Sequence, residues 1–186
     1  MEFKTVRTFF IGGLCLLLAA CSSATQPMMT QEELVNLIYE ETGEKMYLPK
    51  FEALDVSYVY VQYDEADHVR SIDVQYAEGR TSEIIDYFQN PINTAAWEEQ
   101  HHAKKLYGPY EGEVAFMLSY SKEGVTSTQA DKVVELEEVE VGIQEDMSFT
   151  IHSVSFRGEY RLAYNNDYVT EEEALEHTHS YLMNVE

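Results

Sequence analysis

The chain has 186 residues, of which 34 are acidic and 12 are basic, so its formal net charge at pH 7 is −22. A surface this acidic repels polyanions, which excludes nucleic acid and anionic lipid headgroups as partners of the folded body as a whole. The length is sufficient for one domain with a substantial hydrophobic core.

The first 20 residues have the arrangement of a secretory signal peptide. Lys4 and Arg7 precede an apolar run from Phe9 to Ala20. At a helical rise of 1.5 Å per residue, about a dozen residues are too few to cross roughly 30 Å of hydrocarbon. We therefore predict that residues 1–20 are a cleaved signal peptide and not a permanent transmembrane helix.

The apolar run ends in Leu18-Ala19-Ala20-Cys21, a sequence that resembles the lipobox of bacterial lipoproteins. The resemblance implies that the sulfur of Cys21 carries a diacylglycerol and that the mature chain begins at this residue. Two acyl chains, such as palmitate, hold a protein stably at a bilayer, whereas one chain binds only marginally. The implied location is the extracytoplasmic face of the cell membrane. The alternative is an ordinary signal peptide with a cysteine near its cleavage site.

Removal of residues 1–20 leaves 166 residues and changes the net charge to −23, because one acidic and two basic residues are lost. Cys15 is lost as well, so the mature chain keeps only Cys21 and forms no internal disulfide. The stability of the mature chain must therefore come from its hydrophobic core. We expect no cofactor.

Residues 21–29 contain the lipidated cysteine and a linker to the folded body. Ser22 to Pro27 is small and polar, which is typical of a flexible segment. Ser22 to Met29 reaches up to about 26 Å when extended. Because surface charges are screened within roughly 8 to 10 Å, the acidic body can stand clear of the bilayer. We predict that residues 30–186 form a single acidic α+β domain.

Thr30 and Glu33 have the spacing of a capping box, and the helix that they begin is expected to end at Gly43. From Asp55 the apolar period changes to two. Asp55–Tyr63 and His68–Ala77 are rich in valine and tyrosine and predict a β-hairpin.

The middle of the chain is less regular. Ser82–Phe88 favours a third strand, with a helix as the alternative because its apolar residues also have helical spacing. Thr94–Leu106 predicts a loop with a short helix. Glu113–Ser121 is almost wholly apolar and predicts a central strand, after which Val125–Asp131 is irregular.

The last third alternates more clearly between apolar and polar residues. We predict strands over Val133–Val141, Met147–Phe156 and Glu159–Tyr164, with a turn at residues 157–158. Thr170 and Glu173 repeat the capping-box spacing and predict a closing helix.

About six strands framed by terminal helices predict an α+β fold, in which an antiparallel sheet packs against the N- and C-terminal helices. The closing pattern is Phe156–Tyr164 (FRGEYRLAY) followed by Thr170–Leu175 (TEEEAL). It resembles the uncharacterised domains that end many Gram-positive surface lipoproteins. Those domains look like distant relatives of the lipoprotein-carrier fold, which implies a curved sheet over roughly Asp55 to Leu182.

Tyrosine is frequent, with 14 in the chain, and many lie in the predicted strands. We single out Tyr58, Tyr60, Tyr120 and Tyr160 as candidate ligand-binding residues of an aromatic-lined concavity. Such a concavity would hold an acyl chain or stack on a sugar. The alternative is packing in the core and across strands, because strands favour tyrosine in any case.

The sequence lacks the motifs of common enzyme classes, including the nucleophile elbow, the zinc-protease helix, the P-loop and the dinucleotide fingerprint. Glu173 and His177 are four apart on the closing helix and could share a zinc ion. The turns Asp64–Asp67 and Asn165–Asp167 are rich in oxygen ligands but lack EF-hand spacing. Surface pairs and solvated turns explain these residues as well, and we expect no metal site.

We therefore expect a binding or interaction module of the cell envelope, not an enzyme. The alternative is a carrier or chaperone for a lipid or another apolar ligand, and an envelope enzyme is a third hypothesis. The expected partners are the membrane, through the anchor at Cys21, and an envelope protein or an apolar ligand; nucleic acid is not expected.

Overall fold

The structure, a computed structural model, describes residues 28–122, 130–156 and 158–185. Within these ranges the chain is an α+β domain with eight strands and four helices. The elements in chain order are α1 (Gln31–Thr42), β1 (Leu54–Tyr63), β2 (Val69–Glu78), α2 (Asp86–Gln89), α3 (Pro91–His101), β3 (Ala103–Tyr107), β4 (Glu113–Ser121), β5 (Lys132–Leu136), β6 (Val139–Glu145), β7 (Phe149–Ser155), β8 (Glu159–Asn165) and α4 (Glu171–Leu182).

All eight strands belong to one open antiparallel sheet, in the order β3-β1-β2-β4-β8-β7-β6-β5. The predicted hairpin of β1 and β2 is confirmed, as is the central position of β4, which pairs with both β2 and β8. Strands β5 to β8 form a meander that starts at the far edge and returns to β4.

The prediction of about six strands is wrong, because two strands were missed and one was misassigned. Ala103–Tyr107 is an edge strand that pairs with β1, and the predicted strand Val133–Val141 is two strands, β5 and β6. Ser82–Phe88 is not a strand; it contains one isolated bridge and the start of a helical turn.

Local signals explain where the two longest helices begin and end. Both predicted capping boxes are confirmed: the Thr30 hydroxyl accepts from the backbone N–H of Glu33, and Thr170 and Glu173 make the same reciprocal pair. Gly43 ends α1 in the left-handed region, at φ 73°, where a residue without Cβ is not strained.

Helices α1 and α4 lie on the same face of the sheet, which we call the covered face. Leu34 and Ile38 of α1 are completely buried, and the ring of Tyr181 in α4 lies 5.6 Å from the ring of Tyr160 in β8. Residues directly opposite each other in an antiparallel pair point to the same face. The covered face is thus filled along the sheet by large side chains: Val59, Val74, Tyr76, Phe116, Leu118, Leu162 and Tyr164.

Aromatic rings close the centre of this core. Phe51, which follows α1 in the chain, packs 5.3 Å from Tyr76 and 5.0 Å from Phe116, measured between ring centroids. Phe116 lies 5.0 Å from Tyr164 on the adjacent strand. Each such pair stabilises a fold by about 0.5–1.5 kcal/mol beyond the area that it buries. Tyrosine and phenylalanine rings therefore form the centre of the core, between aliphatic side chains, and the described residues include no cysteine that could cross-link it.

A polar group is buried between α4 and the sheet. The Nδ1 atom of His152 on β7 lies 2.6 Å from the Thr178 hydroxyl of α4, which also contacts the Tyr164 hydroxyl at 2.9 Å. His152 is completely buried, and its Nε2 atom contacts no hydrogen-bond partner among the described residues. Burial lowers the pKa of His152 to about 4, because the imidazolium would lose its hydration.

This histidine should make the fold sensitive to moderate acid. Its pKa is about 6.5 in an unfolded chain and about 4 in the fold, so the unfolded state binds the proton more readily. The contribution of His152 to stability should be complete above pH 6.5 and fall by about 3 kcal/mol as the pH drops to 4. In urea unfolding across this range, the wild type should therefore lose about 3 kcal/mol more than His152→Gln does.

The exposed His68 provides the matched control, because its side chain is 80% accessible and its pair with Asp64 lies at the surface, where ion pairs contribute little to stability. His68→Gln should follow the wild type at every pH. A difference between His152→Gln and the wild type that stays constant from pH 6.5 to pH 4 would contradict the interpretation.

Candidate functional site

The opposite side of the sheet, which we call the open face, is only partly covered. Helices α2 and α3 cross this side above β1, where Trp97 packs 5.9 Å from Tyr58 and 5.5 Å from Tyr60 between ring centroids. Phe88 contributes a further ring 6.0 Å from Tyr58. Neither helix has a fully buried residue, so both rest on the sheet only through a few rings.

The four tyrosines that the sequence singled out form two pairs on opposite faces. Tyr58 and Tyr60 lie on the open face with their ring centroids 4.9 Å apart, while Tyr120 and Tyr160 lie on the covered face 5.0 Å apart. The predicted residues therefore do not line one concavity. Tyr58, Tyr120 and Tyr160 are buried, and Tyr60 alone among the four is half-buried.

A depression of about 240 Å³ lies on the open face next to Tyr60. Its floor is formed by β1, β2, β4, β7 and β8, beyond the edge of the sheet that α2 and α3 cover. The lining residues on the open face are Tyr60, Asp73, Gln75, Met117, Ser119, Ile151, Arg161 and Ala163; the floor also includes Val74 and Leu118, whose side chains point to the covered face.

The register of the strands aligns the polar lining residues in one row across the sheet. Tyr60 lies opposite Asp73, Asp73 opposite Ser119, Ser119 opposite Arg161, and Arg161 opposite Ser153. Neighbouring strands are about 4.8 Å apart, so this row brings a carboxylate, a guanidinium and hydroxyl groups within reach of one small molecule.

Two serine hydroxyls hold the carboxylate of Asp73. Ser71 donates to Oδ2 and Ser119 donates to Oδ1, each at 2.6 Å. The pKa of Asp73 is nevertheless raised, because burial removes more hydration than these two hydrogen bonds and the attraction of Arg161 and Arg70 replace. The carboxylate is thus fixed in orientation but incompletely compensated in charge.

A second row gives the depression an apolar part. Gln75 lies opposite Met117, Met117 opposite Ala163, and Ala163 opposite Ile151. Met117 and Ile151 are half-buried and Ala163 is nearly buried, so they present a mainly apolar surface beside the polar row. A few directed polar groups next to apolar side chains are typical of ligand sites in proteins.

Two other depressions are less suited to a ligand. One on the covered face, beside Phe51 and His177, has a volume of about 50 Å³. The other, about 500 Å³, lies at the start of α1 and contains Arg80. The Nη1 atom of Arg80 donates to the Val56 carbonyl at 3.0 Å and to the Tyr107 hydroxyl at 2.8 Å. These hydrogen bonds give the guanidinium a structural role.

The described part of the chain contains no group of three or more histidine, cysteine, aspartate or glutamate side chains that could hold a metal ion. His177 packs edge-on against Phe51, and His179 lies 3.0 Å from Glu137 on the turn between β5 and β6. Glu173 caps its own helix. Of the two residues that were considered as a possible zinc pair, Glu173 is thus used in the helix cap, while His177 is packed against an aromatic ring.

Sequence reasoning missed Asp73, Ser119 and Arg161. Each is a polar residue between apolar neighbours on a strand, which indicates only that it faces away from the core. No local pattern indicates that the three residues come together, since β2, β4 and β8 are separated by long connections. The signal present in the sequence was an aspartate between two apolar residues in the strand Val69–Glu78.

Comparison with known proteins gave no match, whether against family models, curated proteins or solved structures. Residues 1–20, Cys21 and the linker up to residue 27 lie outside the described residues, so the predicted anchor stays a prediction. In the part of the chain that the structure describes, no helix is long and apolar enough to cross a membrane.

Proposed function

We propose that the protein is a bacterial lipoprotein, anchored through Cys21 at the extracytoplasmic face of the cell membrane, whose domain is a binding module. The observation that carries the binding function is the depression on the open face, where two serines orient the incompletely compensated carboxylate of Asp73. The anchor is supported by the lipobox-like Leu18–Cys21 sequence.

The chemistry of the depression favours binding over catalysis. The hydroxyls of Ser71 and Ser119 donate to a carboxylate, and a serine nucleophile would instead need a base such as histidine to take its proton. The residues that line the depression include one carboxylate and no histidine. Such a group can hold a ligand. Tyr60 is the other titratable acid in the lining, and burial raises the pKa of its hydroxyl, so it is a poor proton-transfer partner at neutral pH.

A carrier for whole acyl chains is the weaker alternative. The cavity of about 50 Å³ on the covered face is close to the space of one or two water molecules, and aromatic rings fill the surrounding core. An acyl chain would therefore need to lie on the open face, where it would remove hydration from the charges of Asp73 and Arg161.

Substitution of Cys21 tests the anchor. In cells fed an alkyne analogue of palmitate, the wild type should acquire the label and sediment with membranes, because Cys21 carries acyl chains. Cys21→Ala should acquire no label and lose its stable hold on the bilayer. In-gel detection of the label and fractionation of the cells measure both properties.

Cys15 provides the matched control, because it lies in the apolar run that is removed with the signal peptide. Cys15→Ala should be labelled and anchored as the wild type is. The anchor proposal fails if Cys21→Ala stays wholly with the membrane and is processed normally.

Native mass spectrometry of the full-length protein, isolated from membranes in mild detergent, tests the binding module. The wild type should retain an adduct that Asp73→Asn loses, because the substitution removes the charge on which binding depends. Glu140→Gln is the control, since it removes one exposed carboxylate from the same face three strands away from β4. The same adduct in all three proteins would place the ligand elsewhere, and no adduct in any of them would contradict the proposal.

A further inference from the structure

We infer that the depression on the open face binds a zwitterion of amino-acid size, with the ligand ammonium at Asp73, the ligand carboxylate at Arg161 and an apolar side chain over Met117 and Ile151. This inference rests on the proposed function and identifies the class of ligand that the same site takes. It follows from the positions of three groups: a carboxylate, a guanidinium and an apolar surface.

The Asp73 carboxylate fits an ammonium group. An ionised carboxylate offers about four lone-pair sites, and the hydroxyls of Ser71 and Ser119 occupy one on each oxygen. The remaining sites are available to a donor that also brings positive charge. Tyr60 is the next residue in the row, and its ring packs against Tyr58 and Trp97 at this end of the depression.

Arg161 lies two strands from Asp73, on the other side of Ser119. Two strand spacings are roughly 10 Å between Cα atoms, and the guanidinium of Arg161 is near enough to Asp73 for its charge to lower the pKa of that carboxyl. A guanidinium has five N–H donors in a planar fork, so it can hold a ligand carboxylate in addition to its contacts within the protein. The site therefore presents opposite charges on either side of one small space.

The volume of the depression and its apolar lining determine the size and the side chain of the ligand. A volume of about 240 Å³ lies below the roughly 300–1,000 Å³ that drug-sized ligands occupy, so the ligand is small. The row of Met117, Ala163 and Ile151 favours an aliphatic side chain over a charged one. Leucine has all three properties and serves as the probe.

Other classes of ligand fit less well. A simple anion would be repelled by Asp73 and by the net charge of −22. A simple organic cation would be attracted by Asp73 but repelled by the guanidinium of Arg161. A calcium ion takes six to eight oxygen ligands, and the lining contains one carboxylate.

Isothermal titration of the full-length protein in detergent micelles tests the inference with three probes. L-leucine carries both charges, isoamylamine lacks the carboxylate, and isocaproate lacks the ammonium. Leucine should bind, and each single-charge analogue should bind at least about tenfold more weakly, because one charge-assisted contact is lost. Isocaproate or isoamylamine binding as tightly as leucine would overturn the inference.

Two substitutions assign the charges to their residues. Asp73→Asn should weaken leucine and isoamylamine by about 10- to 100-fold and leave isocaproate unchanged or tighter. Arg161→Gln should weaken leucine and isocaproate instead, and Arg161→Lys, which keeps the charge without the fork, should lie between. Glu140→Gln should bind all three probes as the wild type does, and circular dichroism confirms that each variant is folded.

The results separate the class of ligand from the wider proposal. If leucine does not bind, or if its affinity is the same in Asp73→Asn and the wild type, the zwitterion inference is wrong. The binding module stands in that case only if the mass spectra of the isolated protein show an adduct that Asp73→Asn loses. If neither leucine nor an isolated adduct depends on Asp73, both proposals fail.

Discussion

The alternation of side chains along the strands determines what lies on each face of the sheet: the core on the covered face and the candidate site on the open face. Successive residues of a strand point to opposite faces, so each strand that contributes Val74 or Leu118 to the covered face must place its neighbours on the other. On the covered face, α1 and α4 exclude water and the core is filled by aromatic rings. On the open face the same strands present Asp73 and Ser119, and the register brings them opposite each other. The candidate site thus lies on the open face of the same strands whose covered face carries the core.

Electrostatics distinguishes one carboxylate from the many others in this acidic chain. The pKa values of Glu33 and Glu173, which cap helices, are lowered by hydrogen bonds from backbone and side chain, as expected of carboxylates that serve structure. Asp73 behaves in the opposite way, since burial raises its pKa although two serines donate to it. Whenever such a carboxyl ionises in a partly dry position it lowers stability unless a cation binds to it, and this is the property expected of a binding residue.

The parts of the fold that depend on local chemistry were predictable. Capping boxes and the β1–β2 hairpin follow from residues close in sequence. The strand Ala103–Tyr107 was not predicted because the consecutive lysines Lys104 and Lys105 break the alternation of apolar and polar residues. It forms a strand because it pairs with the edge of β1. The turn that divides β5 from β6 uses Glu137 and Glu138 at φ 48° and 64°, where glycine or asparagine would have been the usual signal. The site was hidden for a different reason: Ser119 meets Asp73 across 46 residues of sequence.

The most direct test of this account is the free energy of unfolding of Asp73→Asn at pH 7, measured by urea titration beside the wild type and Glu140→Gln. A raised pKa means that the native state holds the proton more tightly than the unfolded state, so stability falls as the pH rises and the carboxylate ionises. Removing the charge should therefore leave the protein as stable as the wild type or more stable. A loss of about 1–3 kcal/mol, the usual result of breaking a buried charged hydrogen bond, would show that Asp73 is a structural residue and would contradict the account.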